Sequence, residues 1–224
     1  MHIEPGMVDA AKIGLSYATA VASFLAVTKL SYENIKENNF LSFIFKALVS
    51  TLLVFTFFEI LPHYPVGVSE VHLIMGSTLF LLFGVAPASI GLILGLLVQG
   101  VFFAQFDLPQ YGMNITTIIV PLLAISYISK KIISKDTAYT DLKYSQVLKL
   151  SLAYQGGIVS WVAFWAIYGQ GIGAENLASI LSFGSAYMLV VIIEPFADLA
   201  VLAFAKSLKE VFIKVNVFEK RLYQ

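Results

Sequence analysis

Three histidines, at positions 2, 63 and 72, are the side chains best suited to hold a transition metal in a 224-residue chain without cysteine. Position 2 is the informative one. The free α-amine of Met1 and the backbone nitrogen of His2 can close a five-membered ring on a metal ion. The His2 imidazole then closes a fused six-membered ring, so two residues supply three nearly coplanar nitrogens. A fourth nitrogen from a distant histidine would complete a square-planar site, the geometry associated with Ni(II) and Cu(II). Pro5 and Gly6 come next in "MHIEPG"; the proline fixes φ and the glycine permits a sharp turn, so the chain could fold back into a cavity. The same "EPG" also reads simply as the turn that starts a helix. The absence of cysteine excludes disulfides, thiolate metal sites and cysteine nucleophiles, which leaves nitrogen and oxygen ligands.

The elements that must position these residues belong to a membrane. Hydrophobic residues make up 58% of the chain and charged residues 12%, against roughly 45–50% and about 25% in soluble domains. Zero net charge and the lack of a basic block argue against nucleic acid as a partner. A helix needs about 20 apolar residues to cross a hydrocarbon core of about 30 Å. Apolar runs fall near 9–30, 41–61, 71–86, 88–105, 114–133, 147–169 and 177–205. The expectation is an all-α polytopic bundle of about seven spans, with six as the alternative. The third and fourth runs are short, broken at "VAPAS", and read as a tight helical hairpin or as two short spans.

Charge gives this bundle a direction. Lys29, Lys36 and Lys46, then Lys130, Lys131, Lys135 and Lys143, then Lys206, Lys209, Lys214, Lys220 and Arg221 fall on one side of the expected spans. The opposite segments, "LPHYPVGVSEVH", "AQFDLPQYGMN" and "GQGIGAEN", carry no lysine or arginine. The positive-inside rule then places the N-terminus outside and the C-terminus in the cytoplasm. Residues 1–8 lack the basic region and cleavage site of a signal peptide, so Met1 is expected at the outer face. All three histidines, with Glu4, Asp9, Glu59, Glu70 and Asp107, share that face in this topology.

Glu194 and Asp198 lie inside the last apolar run, where ionisable groups are costly and point to function. Pro195 should kink the helix there. Ala10, Gly14, Ala18, Ala22 and Ala26 form a small-residue stripe at four-residue spacing. Such a stripe packs inside the bundle, the commoner case, or against a partner subunit. No G-x-x-x-x-G-K-[ST], H-E-x-x-H or G-x-S-x-G occurs, so neither nucleotide hydrolysis nor metalloprotease or serine-hydrolase chemistry has a signature.

"MHIEPG" resembles the Met-His-Ile-x-x-Gly start of the CbiM/NikM family, the substrate-binding membrane components of energy-coupling-factor cobalt and nickel transporters. "PVGVSEVHLIMGSTLFLLFG" resembles the family segment that contains a histidine, here His72; "LLVQGVFFAQFDLPQYGMNIT" aligns Gln99, Asp107, Gly112 and Asn114; "VIIEPFADLAVLAF" aligns Glu194. The resemblance covers nearly the whole chain, as one transmembrane domain over 1–224 whose segment 1–8 chelates metal. It implies ligation by the Met1 amine, the His2 backbone and imidazole nitrogens, and His72. It also implies transport rather than catalysis, with Co(II) or Ni(II) as cargo and no cofactor. The implied partners are a transmembrane coupling subunit, ATPase subunits and a small auxiliary membrane subunit, in a bacterial or archaeal cytoplasmic membrane. This chain departs from the family at Glu4–Pro5, in "GVS" before Glu70 and in "DLPQYG", and it has no histidine near its last helices. A carrier for another metal or a small molecule, and a metal-dependent membrane enzyme, are the alternative readings. A metal-bound histidine usually donates its second ring nitrogen to a supporting acceptor. Asn114, Ser69, Glu70 and Asp107 are candidates, Asn114 foremost, although a helix cap would equally explain Asn114. Glu194 is expected to support the bundle or the site without ligating.

Overall fold

The computed structural model describes residues 3–209 and 218–223; Met1 and His2, two of the expected ligand residues, lie outside the described residues. Helix α1 runs Gly14–Glu37 and α2 runs Phe40–Phe55, extended by one π turn, Thr56–Ile60. A hairpin of β1 (Tyr64–Val66) and β2 (Ser69–Val71) comes next, then α3 (Gly76–Phe83) and α4 (Val85–Phe102). A 3-10 turn, Gln105–Gln110, leads into α5 (Tyr111–Ile132); α6 (Tyr144–Gln170), α7 (Ala174–Met188) and α8 (Val190–Ser207) complete the bundle.

Among the described residues five helical segments are long and apolar enough to cross a membrane: Phe40–Ile60, Val85–Phe102, Gln105–Ile132, Tyr144–Gln170 and Ala174–Ser207. With 24 residues, α1 has the length, but its serines, threonines and tyrosines make it less apolar. The expected third span is replaced by something else. Its start is taken by β2, and α3 has only eight residues, about 12 Å of helix against a core of about 30 Å. All eight are buried, and α3 packs against α4, α5, α6 and α8. A helix apolar on every side is a lipid span or a segment enclosed by protein, and periodicity cannot separate the two. Gly84, at φ 82°, turns α3 directly into α4, a backbone conformation that other residues rarely adopt.

The last run also breaks elsewhere than expected. The discontinuity is at Leu189, between α7 and α8, while Pro195 sits inside α8. Most of the small-residue stripe faces outward: Ala10, ahead of α1, and Gly14, Ala18 and Ala22 on it are exposed and Ala26 is half-buried, while Ser16, Ala20, Ser23 and Val27 point inward instead. Internal packing, the commoner expectation, is therefore not what the stripe does.

Basic residues gather at one end. The C-terminal segment ties the lysine-bearing loops together there: Lys220 Nζ donates to the Glu37 carbonyl at 3.1 Å, Arg221 Nη2 to the Ser134 carbonyl at 2.9 Å, and the Glu219 N–H to the Leu82 carbonyl at 2.7 Å. His63, His72 and Ile3 lie at the other end, where Lys12 Nζ donates to the Gly169 carbonyl at 2.9 Å.

Candidate metal site

The π turn that ends α2 carries the fully buried Phe58 against His72, ring centroids 5.3 Å apart and nearly edge-on at 71°. A π turn inserts one extra residue and rotates the chain beyond it, which is why such turns recur at functional sites. Gln99 of α4 holds this turn, its Nε2 standing 3.2 Å from both the Phe58 carbonyl and Glu59 Oε2.

From there the chain makes the hairpin. Val66 pairs with Ser69, so the loop is the two residues Gly67–Val68, with Gly67 at φ 61°. A glycine with positive φ at the first loop position is the type II′ solution, whose twist suits paired strands. A β-carbon on Gly67 would also fall 2.2 Å from the Ser179 carbonyl oxygen of α7. The hairpin thus sits close on α7 only because residue 67 is glycine.

Strand β2 delivers His72, which is 1% exposed. Its Nε2 lies 2.9 Å from Glu70 Oε2. A carboxylate only accepts, so Nε2 carries the hydrogen, and in the neutral ring the lone pair is then on Nδ1. The His63 ring stacks on His72 with centroids 4.9 Å apart and planes 12° from parallel. Tyr64 pairs with Val71, and one further step of that register sets 63 opposite 72.

The N-terminal strap lies along this hairpin. Ile3 forms an antiparallel bridge with Ser69, and its N–H donates to Asn114 Oδ1 at 3.0 Å. The Glu4 N–H donates to the Val68 carbonyl at 3.2 Å. The Ile3 side chain is wholly buried, a burial that stabilises by about 1.5–3 kcal/mol. Farther along, Gln170 Nε2 donates to the Gly6 and Met7 carbonyls at 3.1 and 2.9 Å. The strap is therefore held at both ends, over the hairpin and against the end of α6.

Of the residues expected here, Ser69, Glu70, His72 and Asn114 come together, but in different roles. Glu70, rather than Asn114, meets His72 Nε2. Asn114 does not cap α5, whose N-terminal flank is Gln110; its oxygen receives the strap instead. Asp107, 4% exposed in the 3-10 turn, lines a small recess with Leu96, Gly100, Leu108, Tyr111 and Asn114. Glu194 is elsewhere, in the core, where Ser77, Ser151 and Gln155 donate to it. Sequence reasoning counted His63 at this face but gave it no part; the stacking depends on the hairpin register, which three-residue strands do not advertise. Among the described residues no group of three or more His, Asp or Glu side chains is arranged to hold a metal ion. The described residues offer imidazoles and a carboxylate at this end.

Helices too apolar for water, with imidazoles and a pinned N-terminal strap at one end of the bundle, define a helical membrane protein with a candidate metal-binding end. The chain belongs to the CbiM family, described as the cobalt uptake substrate-specific transmembrane region, whose model matches residues 2–211. Membership makes it a transporter component and not an enzyme. Among solved structures it is similar to a transition metal transporter, with TM-score 0.70 at 18% identity over 94% of each chain. It is also similar to a truncated transition metal transporter, with TM-score 0.68 at 18% identity over 92% of this chain and 99% of the other. At that identity the likeness is one of fold. Comparison with curated proteins gives no significant match.

Proposed function

We propose that this chain captures Co(II) or Ni(II) at the outer face of a cytoplasmic membrane, as the substrate-binding component of an energy-coupling-factor importer. The ligands in this reading are the Met1 amine, the backbone and imidazole nitrogens of His2, and His72. The observation that carries it is the pinning of Ile3 by Ser69 and Asn114 on the strand that leads to His72. Ile3 is the residue that directly follows the two proposed N-terminal ligand residues in the chain. Glu70 orients the His72 ring, Asn114 and Ser69 fix the strap, and Asp107 lines the small recess beside Asn114. Glu194 supports the bundle at a distance. A four-nitrogen planar set leaves no equatorial position for a substrate, which suits carriage and not catalysis.

Energy comes from separate ATPase subunits in this reading, through a transmembrane coupling subunit, with a small auxiliary membrane subunit assisting capture. The exposed stripe Ala10, Gly14, Ala18 and Ala22 offers a close-packing face for such a subunit. The lysine-bearing end faces the cytoplasm.

The test is metal retention by purified protein with its native N-terminus and by protein extended with Gly-Ser residues before Met1. Both are loaded with Co(II) or Ni(II), desalted and read by mass spectrometry. Retention of about one metal per chain only with the free amine supports the chelate; equal retention by the extended protein refutes it.

A further inference from the structure

Below the histidine end, the N-terminus of α3 meets two carboxylates of α8 that are both fully buried, Glu194 and Asp198. Among the described residues no lysine, arginine or histidine is within ion-pair distance of either. The groups facing them are Ser77 and Thr78 from α3, Ser151, Tyr154 and Gln155 from α6, and Tyr187 from α7. Tyr154 and Tyr187 are the other titratable groups in the cluster.

Counting hydrogens decides the charge. Ser77 Oγ stands 3.0 Å from Glu194 Oε1 and 2.9 Å from Asp198 Oδ2. A hydroxyl has one hydrogen and can donate to only one of them. At the other contact the carboxyl must be the donor, so one of the two acids carries a proton. Glu194 is already saturated as an acceptor. Its Oε2 receives the Ser151 hydroxyl and, at 2.7 Å, the Gln155 amide, and it also accepts the backbone N–H of Ser77 at the start of α3. With the Ser77 hydroxyl on Oε1, four donors match the capacity of an ionised carboxylate. The start of a helix adds its own preference for negative charge. Asp198 has fewer donors: Thr78 reaches Oδ1, which leaves Oδ2 to donate to Ser77.

A second observation points to the same place. Gln155 Oε1 and the hydroxyls of Tyr154 and Tyr187, all fully buried, have no hydrogen-bond partner among the described residues. A β-carbon on Gly76 would fall 2.6 Å from the Tyr154 hydroxyl, so that hydroxyl lies beside the residue that precedes Ser77. The cluster therefore keeps spare donors and acceptors, which is what a site that takes up and passes on a proton needs.

We propose that the Asp198–Ser77–Glu194 chain is a proton-binding site, with the proton on Asp198 and Glu194 ionised. The bound proton removes one of two adjacent buried charges and so fastens α3, four residues beyond the His72 arm, to α6 and α8. This site does not depend on metal capture, and its test uses metal-free protein.

Infrared spectra of the purified full-length chain at neutral pH should show a protonated-carboxyl C=O band that shifts when aspartate is 13C-labelled at its side-chain carboxyl. Asp198→Asn should remove that component and leave the thermal midpoint within roughly 2 °C of the parent, because asparagine mimics a neutral acid. Glu194→Gln should lower the midpoint by roughly 5 °C or more, because its amide would face the Gln155 amide and two hydroxyl donors. Absence of the labelled band in the parent protein, persistence of the full band in Asp198→Asn, or a larger loss in Asp198→Asn than in Glu194→Gln would overturn the assignment. The labelling result stands even where a variant fails to fold.

Discussion

The main-chain N–H of Ile3 donates to the side-chain oxygen of Asn114 at 3.0 Å, across 111 residues of chain, in a buried environment. This bond joins the start of the chain to α5. It fixes the segment just after the first two residues, so its strength should appear in metal affinity although neither residue is an expected ligand.

Replacing Asn114 by alanine leaves a buried backbone N–H without its acceptor, which costs about 1–3 kcal/mol. Metal dissociation constants should rise by roughly five- to a hundredfold, read by competition with a metal chelator, while the helical circular dichroism is unchanged. Ile3→Ala should act in the same direction by emptying a buried site, at about 2–5 kcal/mol.

Glu70 orients His72 through the 2.9 Å contact to Nε2. Glu70→Gln keeps an oxygen acceptor but removes the charge that makes the imidazole a better donor. Losing such outer support typically weakens metal binding by about 10–100-fold, and titration calorimetry should show a loss in that range. His72→Ala should abolish retention altogether.

Amine and imidazole nitrogens bind metal only when deprotonated, so capture releases protons. Affinity should therefore fall steadily as pH is lowered through the range where free amines and imidazoles protonate. An unchanged affinity at mildly acid pH would point to carboxylate ligands instead.

At the other end, burial pushes the Glu219 carboxyl up from its ordinary value, with the Lys46 charge pulling partly against it. The folded state then binds more protons than the unfolded one between the ordinary carboxylate pKa and the raised one. Docking of segment 218–223 should accordingly be firmest below that window and weaken as pH rises through it. Hydrogen exchange at the Glu219 amide, which donates to the Leu82 carbonyl, should accelerate over the same pH interval. A pH-independent rate, after correction for intrinsic exchange, would contradict this.

The exposed face of α1 bears on assembly. Ala18→Leu or Ala22→Leu should leave folding and metal binding intact, because both positions are exposed. Either should reduce copurification with a tagged coupling subunit, since a bulky side chain keeps two helices apart. Equal recovery would move the partner surface elsewhere.

Much of this protein was legible in its residues. The scarcity of charge and the long apolar runs required membrane helices, because lipid demands about 20 apolar residues per crossing and internally satisfied backbone. The distribution of lysines predicted which loops would share an end, and Lys220, Arg221, Glu37 and Ser134 do meet there. The placing of Ser69, Glu70, His72 and Asn114 at one end was likewise legible. Tertiary structure alone decided three things. It made α3 a buried half-length helix, since an all-apolar segment looks the same whether lipid or protein surrounds it. It paired His63 with His72 and gave Glu70, not Asn114, to the ring, because a hairpin of two three-residue strands leaves no periodic trace and register fixes who faces whom. It also brought Ser77 between Glu194 and Asp198, more than 110 residues along the chain. Sequence declares which groups are costly to bury, but only the packed bundle shows which partners repay that cost.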